Sequence, residues 1–265
     1  MPLAVQQIRR MRGGAQAHLM RCDDGGYYVV KFQNNPQGAR ILVNELLGTR
    51  LAARLGLPVP PVAVVEVREN LIAQTEDLVI QLGRGRTPCR AGLQFGSRYP
   101  GHPAETVVHD FLPDEQLGDV ANLGDFCGIF VFDKWTCNTN GRQAVFCRAP
   151  GASSYQAAMI DQGFCFNAGE WNFPDAPLRG IYARHRVYAS VCGLESFEPF
   201  LGRIERNMTE TVCDEILKEI PGEWYGDDTD AIEQMLERLL VRRKLVPELV
   251  RSAWQSSAQP FPHWK

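Results

Sequence analysis

Two short stretches of the chain carry residue types suited to handling phosphate and metal. FDKWTCNTNGRQAVF (132–146) follows an apolar run and contains Asp133, Asn138, Asn140, Arg142 and Gln143. AAMIDQGFCFN (157–167) sets Asp161 behind apolar residues and two positions before Gly163. A nucleoside triphosphate needs main-chain donors near its phosphates, one cation on their oxygens and acids to hold magnesium. Asp161 falls where a short apolar strand ends, so its carboxylate emerges into a cleft, as a magnesium ligand must. Asp133 and Asn138 have the D-x-x-x-x-N spacing in which an acid orients an acceptor hydroxyl and an asparagine holds a second metal. Each also has a plainer reading. Asp161 begins a turn, and Asp133 caps or braces the loop after an apolar helix.

The cation and its brace have candidates earlier in the chain. Lys31 lies in the apolar strand YYVVKF, where its amine can point into a cleft while its neighbours face the core. Gly13 and Gly14 form a tight turn before that strand. Glu45 follows in a helix whose Leu42, Leu46 and Leu47 face the core, so Glu45 sits at the edge of that face, in reach of Lys31. Taken singly, these are a strand-edge lysine and a solvated glutamate. Their order along the chain is what points to a phosphate site.

Bulk properties narrow the field. A chain of 265 residues supports one large domain or two lobes sharing a cleft. The net charge of −3 shows no broad nucleic-acid surface, and no stretch approaches the ~20 apolar residues of a membrane span. The arginines of MPLAVQQIRRMRGG follow its apolar patch, unlike a signal peptide. The eight cysteines include no C-x-x-C pair and several fall in apolar runs, the pattern of reduced thiols in a cytoplasmic protein. No nucleic-acid or membrane partner is expected.

The elements that must position these groups can be read from periodicity. Residues 3–11 and 16–33 read as β structure, with a hairpin turn at Asp23-Asp24-Gly25-Gly26. ARILVNELLGTRLAARLG has helical spacing and stops at Gly56. PVPPVAVVEV, LVIQL and ETVVHDFLP read as strands, and the Gly-, Arg- and Pro-rich interval 82–104 as a long loop or irregular hairpin. NLGDFCGIFVFDKW is helical, QAVFCR and YQAAMID form a ribbon, and the remainder is mostly helix. Ser196 and Thr209 are expected N-caps, and Pro247 opens the last helix. The chain therefore reads as α+β, with a β-rich part over residues 1–112 and a mainly helical part over 113–265. YARHRVY (182–188) reads as a solvated helix face or as a basic cluster that meets an acidic substrate or phosphates, GEWNFPD (169–175) as an ordered aromatic loop, and GRGRTP (83–88) lacks the lysine of a phosphate loop.

YYVVKF, NELLGTRLAARLGLPVP, VVHDFLP, FDKWTCNTNGR and MIDQGFCFN, in that order, resemble the bacterial HipA-like kinases, over roughly residues 10–170. These are a branch of the protein-kinase-like fold, more distantly similar to type II phosphatidylinositol 4-kinases. The resemblance implies a bilobal fold with a β-rich N-lobe and a helical C-lobe. It also implies an ATP- and magnesium-dependent phosphotransferase acting on a hydroxyl of a protein or small molecule, and it admits an antitoxin-like partner. Lys31 would contact the α- and β-phosphates, Glu45 would brace it and Asp161 would bind magnesium. His109 to Leu112, including Phe111, would meet adenine as the hinge. The additional N-terminal region of the longer HipA toxins is expected to be absent. The catalytic loop departs from the family, which writes N-T-D-R with an asparagine five positions after the acid. Here the segment is Asn138-Thr139-Asn140-Gly141-Arg142, with Val145 five after Asn140. Three explanations stand. Asp133 is the acid with Asn138 as partner; or Asn140 and Gln143 only position groups while metal electrostatics carry a slow reaction; or the protein is a pseudokinase that binds nucleotide without transferring phosphate.

Overall fold

The computed structural model describes residues 1–149 and 151–265. Strand β1 (Ala4–Arg10) turns through Gly13 and Gly14 into β2 (His18–Cys22), which pairs with β3 (Tyr27–Lys31). The β2–β3 turn forms because Gly25 takes a φ of 74°, while the Asp24 carboxylate accepts from the Gly26 amide and the Tyr28 hydroxyl, both at 2.8 Å. Helix α1 (Arg40–Arg54) follows, then β4 (Val62–Val67) and a short α2 (Glu69–Gln74). The hairpin β5 (Val79–Leu82) and β6 (Gly85–Pro88) leads into β7 (Gly92–Arg98). The main sheet is antiparallel in the order β1-β2-β3-β7-β4, and Leu3 bridges Glu66 so that its two edges meet. One face of the sheet carries Met20, Val30, Phe32 and Val65 against Leu78 and Ile80 of the hairpin segment. The other face receives α1.

The interval 82–104, expected as a long loop or irregular hairpin, begins with the turn and second strand of a hairpin and goes on into a strand of the main sheet. It supplies β6 and the interior strand β7, whose Gly92 and Gly96 conceal a strand pattern. A Cβ at Gly96 would lie 2.5 Å from Val65 Cγ2 and 3.4 Å from Tyr28 Cδ1, so this strand needs glycine for cross-strand packing, not for a turn. The expected strand ETVVHDFLP shrinks to β8 (Val108–His109).

After β8 the chain becomes helical. Helix α3 (Asp125–Thr136) is buried along nearly its whole length and ends with Cys137 in the left-handed region. Strands β9 (Gln143–Cys147) and β10 (Gln156–Ile160) form the expected ribbon, with β8 added at the β9 edge. Four further helices close the fold: α4 (Glu198–Asn207), α5 (Glu210–Leu217), α6 (Thr229–Arg242) and α7 (Val246–Trp254). Thr209 caps α5 by accepting from the Val212 amide. Ser196 does not cap α4; a 3-10 turn, Leu194–Ser196, runs straight into the helix, and its hydroxyl accepts from the Cys192 amide. YARHRVY contains a 3-10 turn with Val187 and Tyr188 buried, not a solvated helix face. The main core joins Leu42, Leu46 and Leu47 of α1 to Phe126 and Phe130 of α3 and to Ile232 and Leu239 of α6.

Replacing Gly96 by valine is expected to lower stability by about 1–3 kcal/mol through overpacking, read as a fall in denaturation midpoint without a change of slope.

Candidate active site

The pleat of β3 aims Val30 at the sheet core and Lys31 at the opposite face, toward α1. There the Lys31 ammonium forms ion pairs with Glu45, on α1, and with Asp161 Oδ1 at 2.8 Å. Three groups separated by as much as 130 residues thus meet at one point. Glu45 Oε2 accepts from the Gln162 amide at 2.9 Å, and Asp161 Oδ2 accepts from Gln143 Nε2 at 2.8 Å. Burial disfavours charge on Lys31, but the two carboxylates outweigh it and hold the ammonium protonated. Burial, reinforced by the Asp161 charge, pushes Glu45 up to about 7 against the pull of Lys31. For Asp161, burial is outweighed by Lys31 and its hydrogen bonds, and the carboxyl sits below its ordinary value.

The turn after β10 is built to allow this approach. Asp161 adopts a φ of 64°, an uncommon conformation for a residue with a side chain, which rotates its carboxylate out of the strand. Gly163 serves packing: a Cβ there would lie 2.8 Å from Ile41 Cγ2 and 3.0 Å from Glu45 Oε1. Asn44, not singled out by the motif reading, fixes the segment that follows. Its Nδ2 donates to the carbonyls of Gly163, Cys165 and Ala168 at 2.7–3.1 Å, and its Oδ1 accepts from Trp171 Nε1 at 2.9 Å. This holds Phe166, Asn167, Ala168 and Trp171 in positive φ. The sequence signal was an amide on the apolar face of α1, one position before Glu45.

Asp133 does not reach the cleft. It is fully buried, paired with Arg142 through both carboxylate oxygens, and accepts from Asn138 Nδ2 at 3.0 Å. Arg142 also donates to the Ile160 carbonyl at 2.7 Å, tying α3 to the residue before Asp161. The expectation of Asp133 as acid with Asn138 as metal partner is corrected on these grounds: a carboxylate enclosed by a guanidinium cannot meet a hydroxyl in solvent, and Asn138 is 1% exposed. Asn140 is exposed, with its Oδ1 on the Gly141 amide. Gln143 is the loop residue that reaches Asp161.

The remaining candidates have other neighbours. Gly13 has a φ of 119°, and Gly14 lies against Gln37, in the loop before α1. His109 pairs with Phe146 across β8 and β9 and packs edge-on to Tyr155. Phe111 is 59% exposed under the Arg184 guanidinium, at 4.4 Å.

The lysine–glutamate–aspartate arrangement on strand, helix and post-ribbon turn is that of protein kinases. The family model for HipA-like kinases matches residues 5–148, more than half of the chain. The chain belongs to the HipA-like kinase family. No curated protein matches it. Among solved structures it is similar to a Helicobacter pylori proinflammatory kinase, CtkA, with 15% identity and a TM-score of 0.59 over 96% of both chains. A Golgi casein kinase with Mn and ADP bound gives 11% identity and a TM-score of 0.56, over 96% of this chain and 74% of the other. HipA of Shewanella oneidensis, in a complex with HipB and operator DNA, gives 12% and 0.53, over 93% and 68%. Likeness at these identities establishes the protein-kinase-like fold, and family and fold together support a kinase-like phosphotransferase.

Two outcomes test the site's energetics. Arg142→Ala leaves a buried, unpaired carboxylate and is expected to cost about 3–5 kcal/mol in urea unfolding. Because Glu45 is raised from 4.5 to about 7, its contribution to stability is full below the lower value and lost as pH rises through the upper one. Asp161, with its lowered value, contributes in the opposite sense and loses its share on acidification. Glu45→Gln is expected to flatten the fall of melting temperature across the Glu45 window.

Proposed function

We propose that the protein is an ATP- and magnesium-dependent phosphotransferase that acts on a hydroxyl of a protein or small molecule. The observation that carries this reading is the Lys31 ammonium held between Glu45 and Asp161 at the meeting of sheet and helices. In it Lys31 takes the α- and β-phosphate oxygens, Glu45 keeps the ammonium in place, and the turn at Gly13 and Gly14 offers main-chain donors. The segment from His109 to Leu112 meets adenine, with Phe111 beside it. Asp161 offers a carboxylate, the hard donor that magnesium prefers, and Gln143 orients it by donating its Nε2 to Asp161 Oδ2. The metal would neutralise charge on the transferred phosphoryl group. Asn140 is left to position the acceptor. The division into lobes at residue 112, a cytoplasmic location and an antitoxin-like partner belong to the same proposal. Among the described residues no helix is long and apolar enough to cross a membrane.

A second reading, a nucleotide-binding pseudokinase serving as a regulatory module, is favoured by one set of observations. The loop carries Asn140 and Val145 where the family has an acid and an asparagine, and Asp133 is sealed in the core. Transfer of labelled γ-phosphate, including to the protein itself, separates the two.

Calorimetry with a non-hydrolysable ATP analogue and magnesium is expected to show binding that Lys31→Ala and Asp161→Ala abolish; no binding by the unaltered protein refutes both readings. Gln143→Ala is expected to slow turnover about 10–100-fold while nucleotide affinity changes less.

A further inference from the structure

The segment that joins α5 to α6 belongs to the helical half of the chain, yet it is bonded to the sheet and to α1. Its 3-10 turn, Gly222–Trp224, meets the chain just past the end of β3. Glu223 Oε1 accepts from Gln33 Nε2 at 2.6 Å and from the Leu93 amide at 3.2 Å. Trp224 Nε1 donates to the Leu93 carbonyl at 2.8 Å, and Gln33 Nε2 donates to the same carbonyl at 3.0 Å. Gln33 is two residues after Lys31, and Leu93 is two residues before Phe95, the cross-strand partner of Lys31. Gly92 takes a φ of 112° where β7 meets this turn, and a Cβ there would lie 3.5 Å from Glu223 Oε1. Trp224 is 1% exposed in the main core, so the turn is anchored among the helices while its polar atoms hold the sheet.

The same segment grips α1. Asp228 pairs with Arg40, the first residue of α1, at 2.6 Å. Arg40 also donates to the Gly169 carbonyl and lies over the Trp171 ring, so the start of α1 is tied to the stretch after Asp161 as well. Glu219 and Glu215 pair with Arg50 and Arg54, but these pairs are exposed and contribute little. The weight falls on Glu223 and Trp224, which meet the sheet where Gln33 is buried.

Lys31 lies on β3 and Glu45 on α1, so their contact requires strand and helix to keep one separation. The α5–α6 segment bonds to both elements, and its link to β3 falls within two residues of the ammonium. We infer that Glu223 is a positioning residue for the Lys31 centre: by holding Gln33 and Leu93 against the helical half, it keeps the ammonium seated on Glu45 and Asp161. Only its consequence for nucleotide rests on the phosphotransferase reading.

The test follows Lys31 directly in the full chain. The five lysines, at 31, 134, 218, 244 and 265, can each be followed by peptide mass spectrometry after brief treatment with acetic anhydride. Lys31, ion-paired and 12% exposed at its side chain, is expected to react slowly in the unaltered protein. Glu223→Ala is expected to speed its acetylation about tenfold while buried Lys134 keeps its rate. Glu223→Gln is expected to restore the slow rate, because the contacts use one acceptor oxygen, Oε1, which the amide retains. Val250→Ala, on the buried face of α7, lowers stability through another element and is expected to leave Lys31 slow. In calorimetry with the non-hydrolysable ATP analogue and magnesium, Glu223→Ala is expected to raise Kd about tenfold and Glu223→Gln to leave it near the original. An unchanged Lys31 rate in Glu223→Ala, a parallel rise at Lys134, equal acceleration by Val250→Ala, or nucleotide bound equally well by Glu223→Ala overturns the proposal. Faster Lys31 acetylation in a protein that binds no nucleotide upholds the positioning role and removes only the transfer reading.

Discussion

One buried cation facing two carboxylates governs the rest of the structure. Lys31, Glu45 and Asp161 bring one ammonium and two carboxyl groups into a largely desolvated space, and burial alone would disfavour charge on all three. The arrangement persists because each member has further partners. The Gln162 amide supports Glu45, and Gln143 supports Asp161.

A second buried pair performs a different task a few residues away. Asp133 and Arg142 lock the end of α3 to the loop that follows and, through the Ile160 carbonyl, to the strand that presents Asp161. Here charge is used for register. Breaking this pair disturbs the positions of Gln143 and Asp161 together, so the loop's geometry is inherited from the core of the helical half.

Much of this was legible in the sequence, and the failures have physical causes. The strand lysine, the helix glutamate and the strand-end aspartate stood in the order that brings them together, because the pleat and the helical period dictate which way each points. Interior strand β7 was hidden by Gly92 and Gly96, since composition marks glycine as loop while here Gly92 supplies a φ of 112° at the strand's start and Gly96 lets Val65 approach closely. Asp133 misled for a related reason. D-x-x-x-x-N spacing records separation along the chain and says nothing of burial, and a carboxylate on a fully enclosed helix is aimed inward. Asn44 carried no motif; its role depends on carbonyls more than a hundred residues away.

The packing of α1 has a mechanical consequence. Its leucines share one core with Phe126 and Phe130 of α3 and with Phe166 of the segment after Asp161, so it is bonded more firmly to the helical half than its place in the chain suggests. Any breathing of the sheet away from the helices would carry Lys31 in one direction and leave Glu45 and Asp161 behind together. Parting those charges is uphill, so the same electrostatics that mark the centre also act as a spring drawing the two halves shut.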